Sequence, residues 1–162
     1  MADVKYDING NDIMTKVLDE LICAFPGWSE EEPVFSSVGQ EEGVGWYPVS
    51  GAIIEYEKRN VLGGVYQRCQ YPLYVMYRFA NGSEKIRINV KEKLDMLGAW
   101  LEKKEITVGG KVYKLTEYPK VGDRVITNIT RTTPSYNVNN YDSGVSDWVV
   151  YISVQYENSY TL

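Results

Sequence analysis

An α+β fold, a mostly antiparallel β-sheet with two α-helices packed on one face, is predicted by three observations on these 162 residues. Two stretches place apolar residues at three- and four-residue steps. Several others alternate apolar and polar side chains. The two patterns follow one another as helix, strands, helix, strands. The length and a 44% hydrophobic share suit one domain over residues 1–162 with a real core.

The first helix is expected from Asn11 to Phe25. Ile13, Met14, Val17, Leu18, Leu21, Ile22 and Phe25 make its apolar stripe, Asp12 lies toward its positive end, and Pro26-Gly27 stops it. Residues 28–50 are acidic, contain glycine and show no period, which predicts a long acidic loop. Ala52 to Glu57 reads as a short strand, and residues 61–65 as a tight turn into a longer one. From Tyr66 to Phe79 the alternation is clear. Tyr71, Leu73, Val75, Tyr77 and Phe79 point to a core, while Gln70, Pro72, Tyr74, Met76 and Arg78 point to solvent or a neighbour. Pro72 lacks an amide hydrogen and predicts an edge or a bulge there.

The second helix is expected to begin near Asn89, with Asn89 and Glu92 as a capping box and Lys103 and Lys104 at its negative end. Val90, Leu94, Leu97 and Leu101 form its buried stripe, beside Met96 and Trp100. Residues 106–113 predict a small hairpin about Gly109-Gly110, and Arg124 to Thr132 a β-branched strand. Pro134 to Ser146 reads as a polar loop. Asp147 to Tyr156 is the last strand, with Trp148, Val150, Ile152, Val154 and Tyr156 on its apolar face.

The residues point away from catalysis. Histidine, the commonest general base and metal ligand, is missing altogether. Cys23 and Cys69 have no zinc spacing and read as small buried hydrophobes. The glycines of residues 39–45 precede neither a helix nor a Lys-Ser/Thr pair, so a phosphate loop is not expected. Glu30-Glu31-Glu32 lacks the alternating donors of a calcium loop and reads as a solvated acidic face, as Glu92 and Asp95 read as solvent-side helix residues. No catalytic, metal-binding or cofactor-binding residue is therefore assigned. No apolar run is long enough to cross a bilayer, and the first ten residues have no signal-peptide pattern, which predicts cytosolic synthesis. The triplets at Asn81 and Asn128 match a glycosylation pattern that has no use without secretion.

Charge is segregated along the chain. Residues 1–50 carry ten acidic and two basic side chains, residues 51–131 nine and fifteen, and residues 132–162 three and none; −8, +6 and −3 sum to the net −5. An acidic and a basic face on one subunit would suit head-to-tail association. The overall acidity argues against a dedicated nucleic-acid binder. The 14 Tyr and 4 Trp are the other conspicuous feature, since both supply stiff contact area with a polar end.

Three stretches in order, LDMLGAWLE (94–102), TRTTPSY (130–136) and DWVVYISVQYENSY (147–160), resemble a family of small tailed-phage proteins. These are encoded among the head–tail joining genes of phages and prophages of Gram-positive bacteria, are often labelled minor capsid proteins, and belong to the tail-terminator class. The resemblance covers residues 50–160, and the acidic segment 28–50 matches nothing in it.

The resemblance implies a sheet backed by helices and a structural virion protein. Its copies would form a homo-oligomeric, six-membered ring at the head-proximal end of the tail tube. There it would halt tube polymerisation and join the tail to the neck. The implied partners are the tail tube protein and neck or head-completion proteins, with DNA passing through the lumen without specific binding. The implied location is the virion or a tail-like particle, with assembly in the host cytoplasm. Tyr136, Tyr141, Trp148, Tyr151 and Tyr160 are the expected interface residues, with Tyr136 and Tyr141 anchoring a long hairpin that a partner would order. The alternative is an aromatic-rich binding module, for carbohydrate or protein, of unrelated function.

Overall fold

The structure, a computed structural model, describes residues 3–80 and 82–162. In chain order the elements are β1 (Lys5–Tyr6), α1 (Ile8–Cys23), β2 (Val34–Phe35), β3 (Gly43–Pro48), β4 (Ile53–Arg59) and β5 (Gly64–Ala80). They continue with α2 (Glu84–Leu101), β6 (Ile106–Val108), β7 (Lys111–Tyr113), β8 (Lys120–Val121), β9 (Arg124–Arg131), β10 (Tyr136–Asn140) and β11 (Val145–Thr161). Asn81, the acceptor of the first glycosylation triplet, lies outside the described residues.

β5 and β11 are the spine. Each is 17 residues long, and they pair antiparallel without a register break, from Gly64 opposite Thr161 to Ala80 opposite Val145. At 3.2–3.4 Å per residue the spine is about 55 Å long. On the outer side of β5, β3 pairs with residues 73–78 and β4 with residues 65–70; β1 adds to β4, and β2 pairs parallel with β3. On the outer side of β11, β10 pairs with residues 146–149 and β9 with residues 152–158, with β8 beyond β9. All pairs but one are antiparallel. β6 and β7 form a separate hairpin whose turn, Gly109-Gly110, has φ of 57° and 81°, values that glycine adopts without steric penalty.

Both helices lie on the same face of the sheet, as the sequence predicts. Met14, Leu18, Leu21 and Ile22 of α1 and Val90, Leu94, Leu97 and Leu101 of α2 join Tyr71, Leu73, Val75, Val150, Ile152, Val154 and Tyr156 in one core. The alternation read in β5 and β11 is the observed one.

Both helices start earlier than periodicity suggests. Asp7 caps α1 by accepting from the Gly10 amide at 3.0 Å, and Asp12 lies beyond the first turn. Ser83, and not Asn89, caps α2 by accepting from the Ile86 amide at 3.3 Å. The first turn of α2 is exposed, so no apolar stripe marked it. At its other end, Lys103 lies over the Tyr118 ring and Lys104 pairs with Glu102.

The segment 28–50 is not a long loop. It contains β2 and β3, and Trp46 is buried against Phe35 and Tyr71, its indole donating to Asp19 at 2.9 Å. Pro72 marks neither an edge nor a bulge, because β5 is interior and unbroken. Its missing amide faces the gap where β3 has ended and β4 has not begun, and there its carbonyl accepts from Val49 at 2.9 Å. Cys69 is buried as expected, whereas Cys23 is exposed at the end of α1.

Candidate contact surface

The sheet face away from the helices carries a row of tyrosines across four strands. Tyr47 of β3 stacks on Tyr74 of β5 (centroids 5.1 Å apart, planes 15°), Tyr74 meets Tyr151 of β11 at 5.2 Å, and Tyr151 lies nearly parallel to Tyr136 of β10 at 6.4 Å. The register makes the row: Tyr47 is opposite Tyr74, which is opposite Tyr151, while Tyr136 is opposite Val149. Cross-strand aromatic pairs of this kind stabilise a sheet, and here they also display the phenols along one line. Partial burial pushes the hydroxyls of Tyr47, Tyr74 and Tyr151 up from their ordinary value, so they remain neutral donors and acceptors at physiological pH.

Four residues along β11 from Tyr151, a buried carboxylate ties β5, β11 and β10 together. Asp147 accepts from Arg78 at 2.7 and 3.0 Å, from the Tyr141 hydroxyl at 2.9 Å and from Asn139 at 3.1 Å. Burial alone would push its carboxyl up, but these donors outweigh burial and hold it below the usual carboxylate range. Arg78 also donates to the Gly39 carbonyl at 3.1 Å and lies over the Tyr141 ring. Residues 134–146 do form a hairpin with β11, but it is paired into the sheet and is not a projecting polar loop. β10 is a paired strand, and only residues 141–144 turn.

The expected interface residues divide. Tyr136 and Tyr151 come together in the row. Tyr141, 45% exposed, is chiefly an internal brace on Asp147 and Arg78. Trp148 turns to the helix side and packs on the core, its indole N–H buried without a partner. Tyr160 lies nine residues beyond Tyr151, about 30 Å along the strand at 3.2–3.4 Å per residue. Tyr47 and Tyr74 were missed. Tyr74 belongs to the outward set of its strand, which was legible; Tyr47 lies in the segment that showed no period.

Residues 94–102, 130–136 and 147–160 meet in space. Arg131 donates to Glu102 at 2.9 Å and to the Asp95 carbonyl at 3.1 Å, crossing α2 at Gly98, where an added Cβ would fall 2.1 Å from the Arg131 side chain. Asp95 accepts from the Ser135 amide at 2.9 Å, and Thr132 donates to the Tyr151 carbonyl at 2.9 Å. Asp95 is thus a clamp on the 130–136 connector and not a solvent-side residue. Together these stretches form a junction between α2, the connector and β11.

Glu31, read as part of a solvated face, is also engaged. It accepts from Lys93 at 2.6 Å, from Tyr77 at 2.8 Å and from the Ser29 amide at 2.7 Å. Glu30, Glu32 and Glu42 remain exposed along a groove of about 340 Å³ whose walls include Val44 and Phe79. Among the described residues no cluster of His, Cys, Asp and Glu has the makings of a metal site, and no helix is long and apolar enough to cross a membrane.

Fold and surface together define an α+β protein with helices on one sheet face and a tyrosine row on the other. Comparison with protein-family models and with curated proteins gives no match to either.

Proposed function

We propose that this chain is a structural subunit of a tailed-phage or tail-like particle, a tail terminator. Six copies close a ring on the head-proximal end of the tail tube, stop tube growth and present a surface to the neck proteins. The tyrosine row carries this reading. Four aromatic side chains on a rigid sheet, held by their own stacking, make a contact surface that loses little side-chain freedom on binding. The ordered resemblance of residues 94–102, 130–136 and 147–160 gives the class. The segregation of charge along the chain suits the two unlike patches that a heterologous ring contact requires. A net charge of −5 suits a lumen through which DNA slides without being gripped.

The row fits protein better than sugar. Rings stacked on one another turn their faces inward and offer edges and hydroxyls, whereas a sugar platform needs open ring faces. Electron microscopy of the native particle, with this chain labelled, tests the reading. A head-proximal ring is expected; the label anywhere else discards it.

A further inference from the structure

The end of the spine farthest from the Asp147 cluster presents an apolar tip. Val61 is completely exposed, Leu62 is 86% exposed and Leu162 is 75% exposed. Turn residues are usually polar or glycine, so three large aliphatic side chains gathered in solvent are a feature to explain.

The tip is rigid. The Asn60 side-chain oxygen accepts from the amides of Leu62 at 3.0 Å and Gly64 at 2.8 Å. The backbone closes the turn from Asn60 to Gly64 at 2.9 Å, and Gly63 takes φ of 87°. Leu162 is drawn alongside by its amide, which donates to the Gly63 carbonyl at 2.8 Å. Exposed Lys58 and Arg59 flank the turn, Arg59 also donating to Glu57 at 3.3 Å.

The opposite end of the spine offers the complement. The groove there has exposed Glu30, Glu32 and Glu42 on its rim, is backed by the buried Val44 and Phe79, and includes Arg78, whose charge is already taken by Asp147. None of the three rim carboxylates has an ion-pair partner among the described residues. An apolar knob with basic neighbours lies about 45 Å from a groove with an acidic rim, given the rise per residue of a strand. Such surfaces at opposite ends of one chain cannot meet within it, but they match between copies.

We infer that the Val61, Leu62 and Leu162 tip docks head to tail in the acidic groove of a second copy of this chain. The contact rests on the ring reading above and names the two unlike patches that such a ring needs. Charge complementarity between the basic neighbours and the acidic rim sets the partner and the direction, and docking removes the tip's aliphatic side chains from water.

Sedimentation velocity of the purified full chain, across a wide concentration range at low and high salt, tests it. Self-association that weakens with salt is expected. Leu62→Asp should weaken it about 10- to 100-fold, the equivalent of exposing one leucine, with thermal unfolding unchanged because the side chain is already in solvent. Lys58→Glu with Arg59→Glu in one chain, and Glu30→Lys with Glu32→Lys in another, should each abolish association, and an equimolar mixture should restore it. A chain that stays monomeric, association untouched by Leu62→Asp, or a mixture that fails to recover would overturn the inference. The measurement needs no particle, so such a result leaves the chain's place in the particle to imaging. Association of this kind by a chain missing from the head-proximal ring would remove the proposed function alone.

Discussion

Arg78 and Asp147 face each other in register across β5 and β11, with two guanidinium nitrogens 2.7 and 3.0 Å from a fully buried carboxylate. The same guanidinium reaches Gly39 on one side and Tyr141 on the other, so one side chain ties β3's approach, the spine and the β10 turn together. Arg78→Met keeps the aliphatic stem but leaves Asp147 buried without a countercharge. A loss of about 3 kcal/mol is expected in urea denaturation, the scale for breaking one partner of a buried pair. Faster amide exchange over residues 136–145 should accompany it. Unchanged stability would mean that Asn139 and Tyr141 suffice for the carboxylate.

Asp7 does three tasks from one buried position. It caps α1, pairs with Arg124 at 2.8 and 3.0 Å and accepts from the Tyr156 hydroxyl at 2.7 Å. Asp7→Ala should destabilise by about 3–5 kcal/mol, since Arg124 then lies partly buried and unpaired. Asp7→Asn retains an oxygen for the Gly10 amide and should recover about 1 kcal/mol of that, the worth of a cap. Equal losses in the two variants, compared by chemical denaturation, would assign the whole effect to the ion pair.

Glu31 makes the acid limb of stability predictable. Burial pushes its carboxyl up, but the hydrogen bonds from Lys93, Ser29 and Tyr77 outweigh that and bring it from 4.5 down to about 2. A carboxylate depressed on folding stabilises fully above its unfolded value and loses that contribution as pH falls through the folded one. Stability should therefore decline between pH of about 4.5 and about 2. Glu31→Gln should be less stable at neutral pH and show a shallower decline in this window. An identical acid limb in the variant would show that other carboxylates govern it.

Tyr136 separates folding from contact. It is 40% exposed and meets only Tyr151 among the aromatic neighbours, so Tyr136→Ala should cost about 1 kcal/mol or less, the range of a cross-strand pair. Under the proposed function, its effect on tail completion should be far larger. Particles assembled with this variant at normal efficiency would discard the row as an interface. Tyr141 is the wrong probe for this purpose, because its hydroxyl braces Asp147 and its removal disturbs the sheet edge itself.

The residues alone determined the fold class, the buried stripes of both helices and the inward faces of β5 and β11. Each of these rests on periodicity, and the burial of one helix or strand face is written into its own spacing. The Gly109-Gly110 turn was legible for a similar local reason, the need for positive φ. Helix starts were less so, since Ser83 and Asp7 act through single hydrogen bonds that leave no repeating mark.

Only the tertiary structure decided the rest. β3 has glycine where an alternating pattern would put side chains, so nothing local separates it from a loop; pairing with β5 makes it a strand and buries Trp46. Glu31 is one of three consecutive glutamates, and partners 46 and 62 residues away single it out. The tyrosine row gathers residues 47, 74, 136 and 151 through the registers of four strands. Register is a property of the whole sheet: a slip of one residue would turn each ring to the other face, and no short stretch of sequence contains that information.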